Sequence, residues 1–120
     1  MSDYQMGAVE SRFADIIWEN EPISSTELAK LSAELLTWKK STTYTVLKRL
    51  CEKGIFQNSG GTVTSLISKT ELFSIRSEKF VEETFEGSLP AFLAAFTARK
   101  NLTPEEVASL RRMIAEYDEK

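Results

Sequence analysis

The chain has 120 residues, of which 42% are hydrophobic and 28% charged, and its formal net charge is −3. That is one domain, or a small domain with an appendage, of globular composition. The absence of histidine removes His-based acid–base catalysis and every His-containing metal site, and the single cysteine, Cys51, removes an internal disulfide and any thiolate cluster, so neither an enzyme nor a cofactor is expected.

Apolar stretches are only a few residues long, short of the roughly 20 needed to span a bilayer. The start, Met1-Ser2-Asp3-Tyr4-Gln5, lacks the basic cluster and apolar run of a secretory signal. The expected location is the cytoplasm, with no membrane partner.

The first helical pattern covers about 7–20, where Val9, Phe13, Ile16 and Ile17, with Trp18 beside them, recur at three- and four-residue spacing. Glu21-Pro22 ends it, because proline disfavours helix in the preceding residue, and Ile23 forms a short extended bridge. Ser24-Ser25-Thr26-Glu27 is a capping box opening a helix to about Leu35, with Leu28, Leu31 and Leu35 inward. Leu36-Thr37-Trp38 connects to a third helix over about 40–53, whose inner stripe is Thr43, Val46, Leu47 and Leu50. Gly54 stands where a left-handed cap belongs.

The period then changes. The runs 55–59 and 62–67 flank Gly60-Gly61, and a type I′ turn needs positive φ at both central residues, so a hairpin is expected. Beyond it, Ser68-Lys69-Thr70-Glu71 caps a helix to about Glu86, stopped by Gly87. Ser88 opens a short helix with Leu89, Phe92, Leu93 and Phe96 on one face, and Lys100-Asn101 breaks it. Thr103-Pro104-Glu105-Glu106 combines an N-cap, an N1 proline and a capping-box glutamate; the last helix carries Val107, Leu110, Met113, Ile114 and Tyr117.

Charge is unevenly placed. Residues 1–69 hold eight acids (Asp3, Glu10, Asp15, Glu19, Glu21, Glu27, Glu34, Glu52) and eight bases (Arg12, Lys30, Lys39, Lys40, Lys48, Arg49, Lys53, Lys69), so the deficit lies in 70–120. Within 38–58 five bases face one acid, a local charge of +4. Phosphate responds to the charge of a face rather than to the total.

Three helices and a hairpin, with the basic island on the third helix, is the order of a winged helix-turn-helix. The fold class read from the sequence is therefore mainly α with a small β-hairpin: a winged-helix DNA-binding domain at 1–69 and a helical dimerisation region at 70–120. A helix presented to the major groove needs an apolar inner face and a short polar or basic outer one. The expected DNA-binding set is Lys39, Lys40, Ser41, Thr42, Tyr44, Thr45, Lys48 and Arg49, with Ser59 and Thr62 from the wing. Small hydroxyls near the helix start approach base edges, whereas Lys48 and Arg49 suit phosphate. The wing tip has no lysine or arginine, which leaves backbone amides, Asn58, Ser59 or Thr62 for any contact. A winged helix serving as a protein-interaction adaptor without specific DNA binding is the competing reading. A hydrolase built on Glu82, Glu83 and Glu86 lacks a polar partner or a Gly-rich loop. Trp18 and Trp38 read as core or junction residues, and Cys51 as an inert boundary thiol.

Residues 70–120 hold five of the seven phenylalanines (Phe73, Phe80, Phe85, Phe92, Phe96) in a segment too small to close a substantial core. Either the winged domain covers these rings or a second copy does. A two-fold homodimer is favoured, because a reader of one half-site binds a palindrome more tightly in pairs. The expected dimerisation residues are Phe80, Phe85, Leu89, Phe92, Leu93, Phe96, Leu110 and Ile114.

Ile17-Trp18-Glu19, Pro22-Ile23-Ser24, Glu27-Leu28, the run from Trp38 to Leu50, Lys53-Gly54, Gly87-Ser88-Leu89 and the run from Leu102 to Val107 together resemble the penicillinase and methicillin-resistance repressor family, which includes copper-responsive repressors. The resemblance implies a homodimeric bacterial repressor that binds an operator dyad in double-stranded DNA. It puts base-reading positions on Ser41, Thr42 and Thr45, with Arg49 near the backbone. Three departures stand out. Trp38-Lys39-Lys40 replaces the family's Trp-Ser-Pro, removing the serine cap and the N1 proline. Ala95-Phe96 replaces an Asn-Phe pair where β-lactam-responsive members are cleaved, which argues against control by that cleavage. No terminal cysteine cluster exists, which argues against copper sensing. No recognised input is left, and an unknown inducer or protease stays open as a partner.

Overall fold

The computed structural model describes residues 4–119. Met1, Ser2 and Asp3, which carry most of the segment read for a signal, and Lys120 lie outside the described residues. The order is α1 (Ala8–Asn20), β1 (Ile23–Ser24), α2 (Ser25–Leu36), α3 (Lys40–Glu52), β2 (Phe56–Ser59), β3 (Thr62–Ser65), α4 (Lys69–Phe85), α5 (Leu89–Arg99) and α6 (Pro104–Asp118). The chain forms two compact units that divide between Ser77 and Glu78. The expected boundary at 69/70 falls at the start of α4; the first unit reaches further because Leu72, on the first turn of that helix, is wholly buried in its core.

In the first unit, α1 contributes Phe13, Ile16 and Ile17, α2 contributes Leu28, and α3 contributes Val46, Leu47 and Leu50; Ile55, Phe56, Val63 and Ile67 complete the core beneath the sheet. Two expected inward residues are outside it: Val9 is 54% exposed and Leu35 53% exposed. Each stands in the terminal turn of its helix, with its side chain largely in solvent. Trp18 donates its indole N–H to the Ile67 carbonyl at 3.1 Å and meets the Phe56 ring at 5.2 Å, while Trp38 lies 5.0 Å from Phe13, so both are junction residues.

The caps explain the boundaries. Ser24 Oγ accepts from Glu27 N at 3.0 Å, whereas the Glu27 carboxylate turns to Lys30 at 3.6 Å. Helix α3 ends in a Schellman motif: Gly54, at φ 81°, donates to Cys51 O and Ile55 donates to Leu50 O. Helix α2 ends differently, at Thr37 with φ 57°. A β-branched residue in this region costs roughly 1–2 kcal/mol, and the surrounding helices hold it there. The Cys51 thiol is half-buried, and burial raises its pKa, as suits an inert boundary position.

The sheet has three strands rather than the two of a bare hairpin. It is antiparallel in the order β1-β3-β2, with Ile23 opposite Val63, Ser24 opposite Thr62, and Ser59 also opposite Thr62. At two residues, β1 is too short to show alternation in the sequence.

In the second unit, Thr103 caps α6 in a reciprocal capping box with Glu106, whose carboxyl is held below the usual range by the Thr103 backbone N–H. Phe80, Phe85 and Phe92 meet edge to face at 5.7 to 6.0 Å, and Phe96 adjoins Phe92 at 6.1 Å. Yet neither α5 nor α6 buries a residue.

Candidate nucleic-acid interface

The face opposite the buried stripe of α3 presents Ser41, Thr42, Thr45, Lys48 and Arg49 to solvent, with Tyr44 half-buried at its edge. Its entry follows from the local sequence. Lys39 is the N-cap and supplies no side-chain bond, and the first turn holds no acid. The opening N–H groups of the helix are therefore left to solvent or to an anion, and the positive end of the helix dipole adds to Lys39 and Lys40. The Lys40 ammonium lies 5.8 Å from the centre of the Tyr44 ring, which draws one cation back over the helix.

Thr45 modifies the expected hydroxyl readout. Its hydroxyl donates to the Ser41 carbonyl at 2.9 Å. The proton is committed to the helix, which leaves the oxygen lone pairs and the methyl group for a partner. A threonine methyl suits contact with a thymine methyl in the major groove.

The cations divide into two groups. Among the described residues Lys39, Lys40 and Lys48 form no ion pair. Arg49 Nη1 lies 3.7 Å and Lys53 Nζ 3.9 Å from Glu10 Oε2, and Lys53 also donates to the Gln5 carbonyl at 2.6 Å. Sequence reasoning missed this acid, because Glu10 reads there as an N-terminal helix residue and its partners lie about 40 positions away.

At the wing tip Gly60 and Gly61 have φ 60° and 87°, the conformation that a type I′ turn requires, and Ser59 and Thr62 flank the turn in the exposed closing pair. Gln57, in the expected hairpin run but outside the expected contact set, donates to Thr64 Oγ1 at 3.2 Å across the strands. Strand β1 pairs with the tip end of β3, Ser24 opposite Thr62, and Ser25 N donates to Gly61 O at 2.8 Å. The wing is thereby tied to the start of α2, within the unit that carries α3.

The expected dimerisation residues fall in the second unit. Phe80, Leu89, Phe96 and Ile114 are exposed, while Phe85, Phe92, Leu93 and Leu110 are half-buried. Phe92, Leu93, Phe96 and Leu110 also line an open apolar groove of about 410 Å³ between α5 and α6. Among the described residues no cluster of three metal-ligating side chains occurs, and no helix is long and apolar enough to cross a membrane.

A family model described as Penicillinase repressor matches residues 6–116. A penicillinase repressor of Bacillus licheniformis is 26% identical over 117 residues, covering 94% of this chain and 91% of the relative.

Proposed function

The chain belongs to the penicillinase repressor family of transcriptional repressors, and from that premise we propose that it acts in the cytoplasm as a homodimer on a palindromic DNA operator. Helix α3 enters the major groove, the wing follows the backbone, and two such helices block transcription by occupying successive grooves. The observation that carries this reading is the outer face of α3: Ser41, Thr42 and Thr45 near the helix start, and around them Lys39, Lys40 and Lys48, which form no ion pair among the described residues, on a helix whose opposite side is core. Small polar groups serve base edges and flexible cations serve phosphate.

The dimer is supported by the second unit. Its helices expose Phe80, Leu89, Phe96, Met113 and Ile114 and bury nothing fully. An apolar surface of that kind is a cost to a monomer and an interface to a pair.

The test is a salt titration of the full chain on duplex DNA. Binding that weakens steeply and linearly in log K against log salt, through counterion release, supports the reading. No duplex binding at 50 mM salt refutes it in favour of a protein-binding winged helix.

A further inference from the structure

We propose that Glu10 sets the affinity of the protein for DNA phosphate: it is an intramolecular counter-ion that occupies Arg49, with Lys53 beside it, in the free protein and yields Arg49 to phosphate on DNA. The inference rests on the DNA-binding reading and adds to it a residue from outside the recognition helix.

Glu10 is anchored at one oxygen and loosely engaged at the other. Its Oε1 accepts from Gly7 N at 3.2 Å, which ties the carboxylate to the first turn of α1. Its Oε2 is buried and accepts no hydrogen bond. Both cations lie near that atom, Arg49 at 3.7 Å and Lys53 at 3.9 Å. Charge-assisted hydrogen bonds are shorter, about 2.7–2.9 Å, so the attraction here is Coulombic and undirected. A phosphate offers the guanidinium two parallel bonds that Glu10 does not make.

The two cations differ in freedom. The Lys53 side chain is 19% exposed and is further held by the Gln5 carbonyl, whereas the Arg49 side chain is 53% exposed. Arg49 is therefore the group that changes partner. The exchange involves Glu10, Arg49 and Lys53 and not the hydroxyls of Ser41, Thr42 and Thr45. A counter-ion placed this way lowers affinity for every duplex, random or specific, while leaving base contacts intact. Part of the electrostatic attraction to non-specific DNA is thereby held back.

The experiment uses the full chain with Glu10→Gln, whose amide oxygen still accepts from Gly7, and measures anisotropy of a random-sequence duplex between 50 and 200 mM salt. The expected result is binding about two- to fivefold tighter at both salts, because no exposed ion pair has to be broken first. The slope of log K on log salt stays that of the unsubstituted chain, because Arg49 meets the same phosphate in both complexes. In an Arg49→Ala background the gain disappears. Unchanged affinity, a slope steeper by about 0.9 (Arg49 then not reaching phosphate in the unsubstituted chain), weaker binding with an unchanged thermal melt, or a full gain in the Arg49→Ala background overturns the proposal. Should Glu10→Gln fail to fold, Glu10→Asp, one methylene shorter, is expected to give a smaller gain in affinity, and parent-like binding overturns the proposal. Failure of the unsubstituted chain to bind duplex at 50 mM salt sinks the DNA reading itself; binding by that chain with Glu10→Gln unchanged sinks only this inference.

Discussion

Helix α4 is held to the first unit by one apolar side chain, and Leu72→Ala measures that hold. Leu72 is fully buried, and it is the one buried residue of its helix. Ser68 places it there: Ser68 Oγ accepts from Glu71 N at 3.1 Å and the Ser68 carbonyl accepts from Leu72 N at 2.9 Å, while Lys69 reaches Asp15 on α1 at 2.8 Å. The exposed ion pair is worth at most about 1 kcal/mol, so the leucine dominates. Truncation to alanine removes three carbons, roughly 2.4 kcal/mol at about 0.8 kcal/mol per buried methylene. A residual cavity raises the cost within the roughly 2–5 kcal/mol range of such substitutions. With a urea m-value of about 1–3 kcal/mol/M, the midpoint drops by the order of 1–2 M. Urea unfolding followed by the fluorescence of Trp18 and Trp38 reads this directly, because both indoles pack on that core. A loss below about 1 kcal/mol at unchanged m would refute the reasoning. It would mean that α4 is not part of the cooperative core and that the winged domain ends at residue 69.

Thr45→Ala is expected to cost about 1–3 kcal/mol on operator DNA and little on random duplex; equal losses in competition binding would exclude base reading. Lys48→Ala should weaken both alike and reduce the salt slope by about 1, whereas a loss confined to operator would assign Lys48 to bases. Phe96→Asp, which puts a charge beside Phe92 on the open α5–α6 surface, is expected to give monomers by light scattering, and an intact dimer would move the interface elsewhere. Thr43 is fully buried and its hydroxyl has no hydrogen-bond partner. Thr43→Val should therefore be neutral or stabilising in urea, and a loss above about 1 kcal/mol would reveal a partner for that hydroxyl.

Periodicity and punctuation determined most of the fold. The stripe Thr43, Val46, Leu47 and Leu50 defined the buried face of α3, and so its exposed face, because a 3.6-residue period leaves the opposite side no choice. Gly54, the pair Gly60-Gly61 and the N-caps at Ser24, Ser68 and Thr103 marked chain reversals and helix starts through local bonds and positive φ alone. Local rules reach about one helical turn, and beyond that distance tertiary packing decided. It enlisted Ile23-Ser24 as a third strand, because a two-residue strand exists only through its partners. It left Val9 and Leu35 in solvent although both fit their helical stripes, since burial needs an opposing element as well as a period. It held Thr37 at φ 57°, against its β-branched preference, to turn α2 into α3. Above all it brought Glu10 to Arg49 and Lys53. The net charge of −3 and the island of +4 are both sums over residues, whereas the field at a phosphate depends on which charges the fold sets side by side.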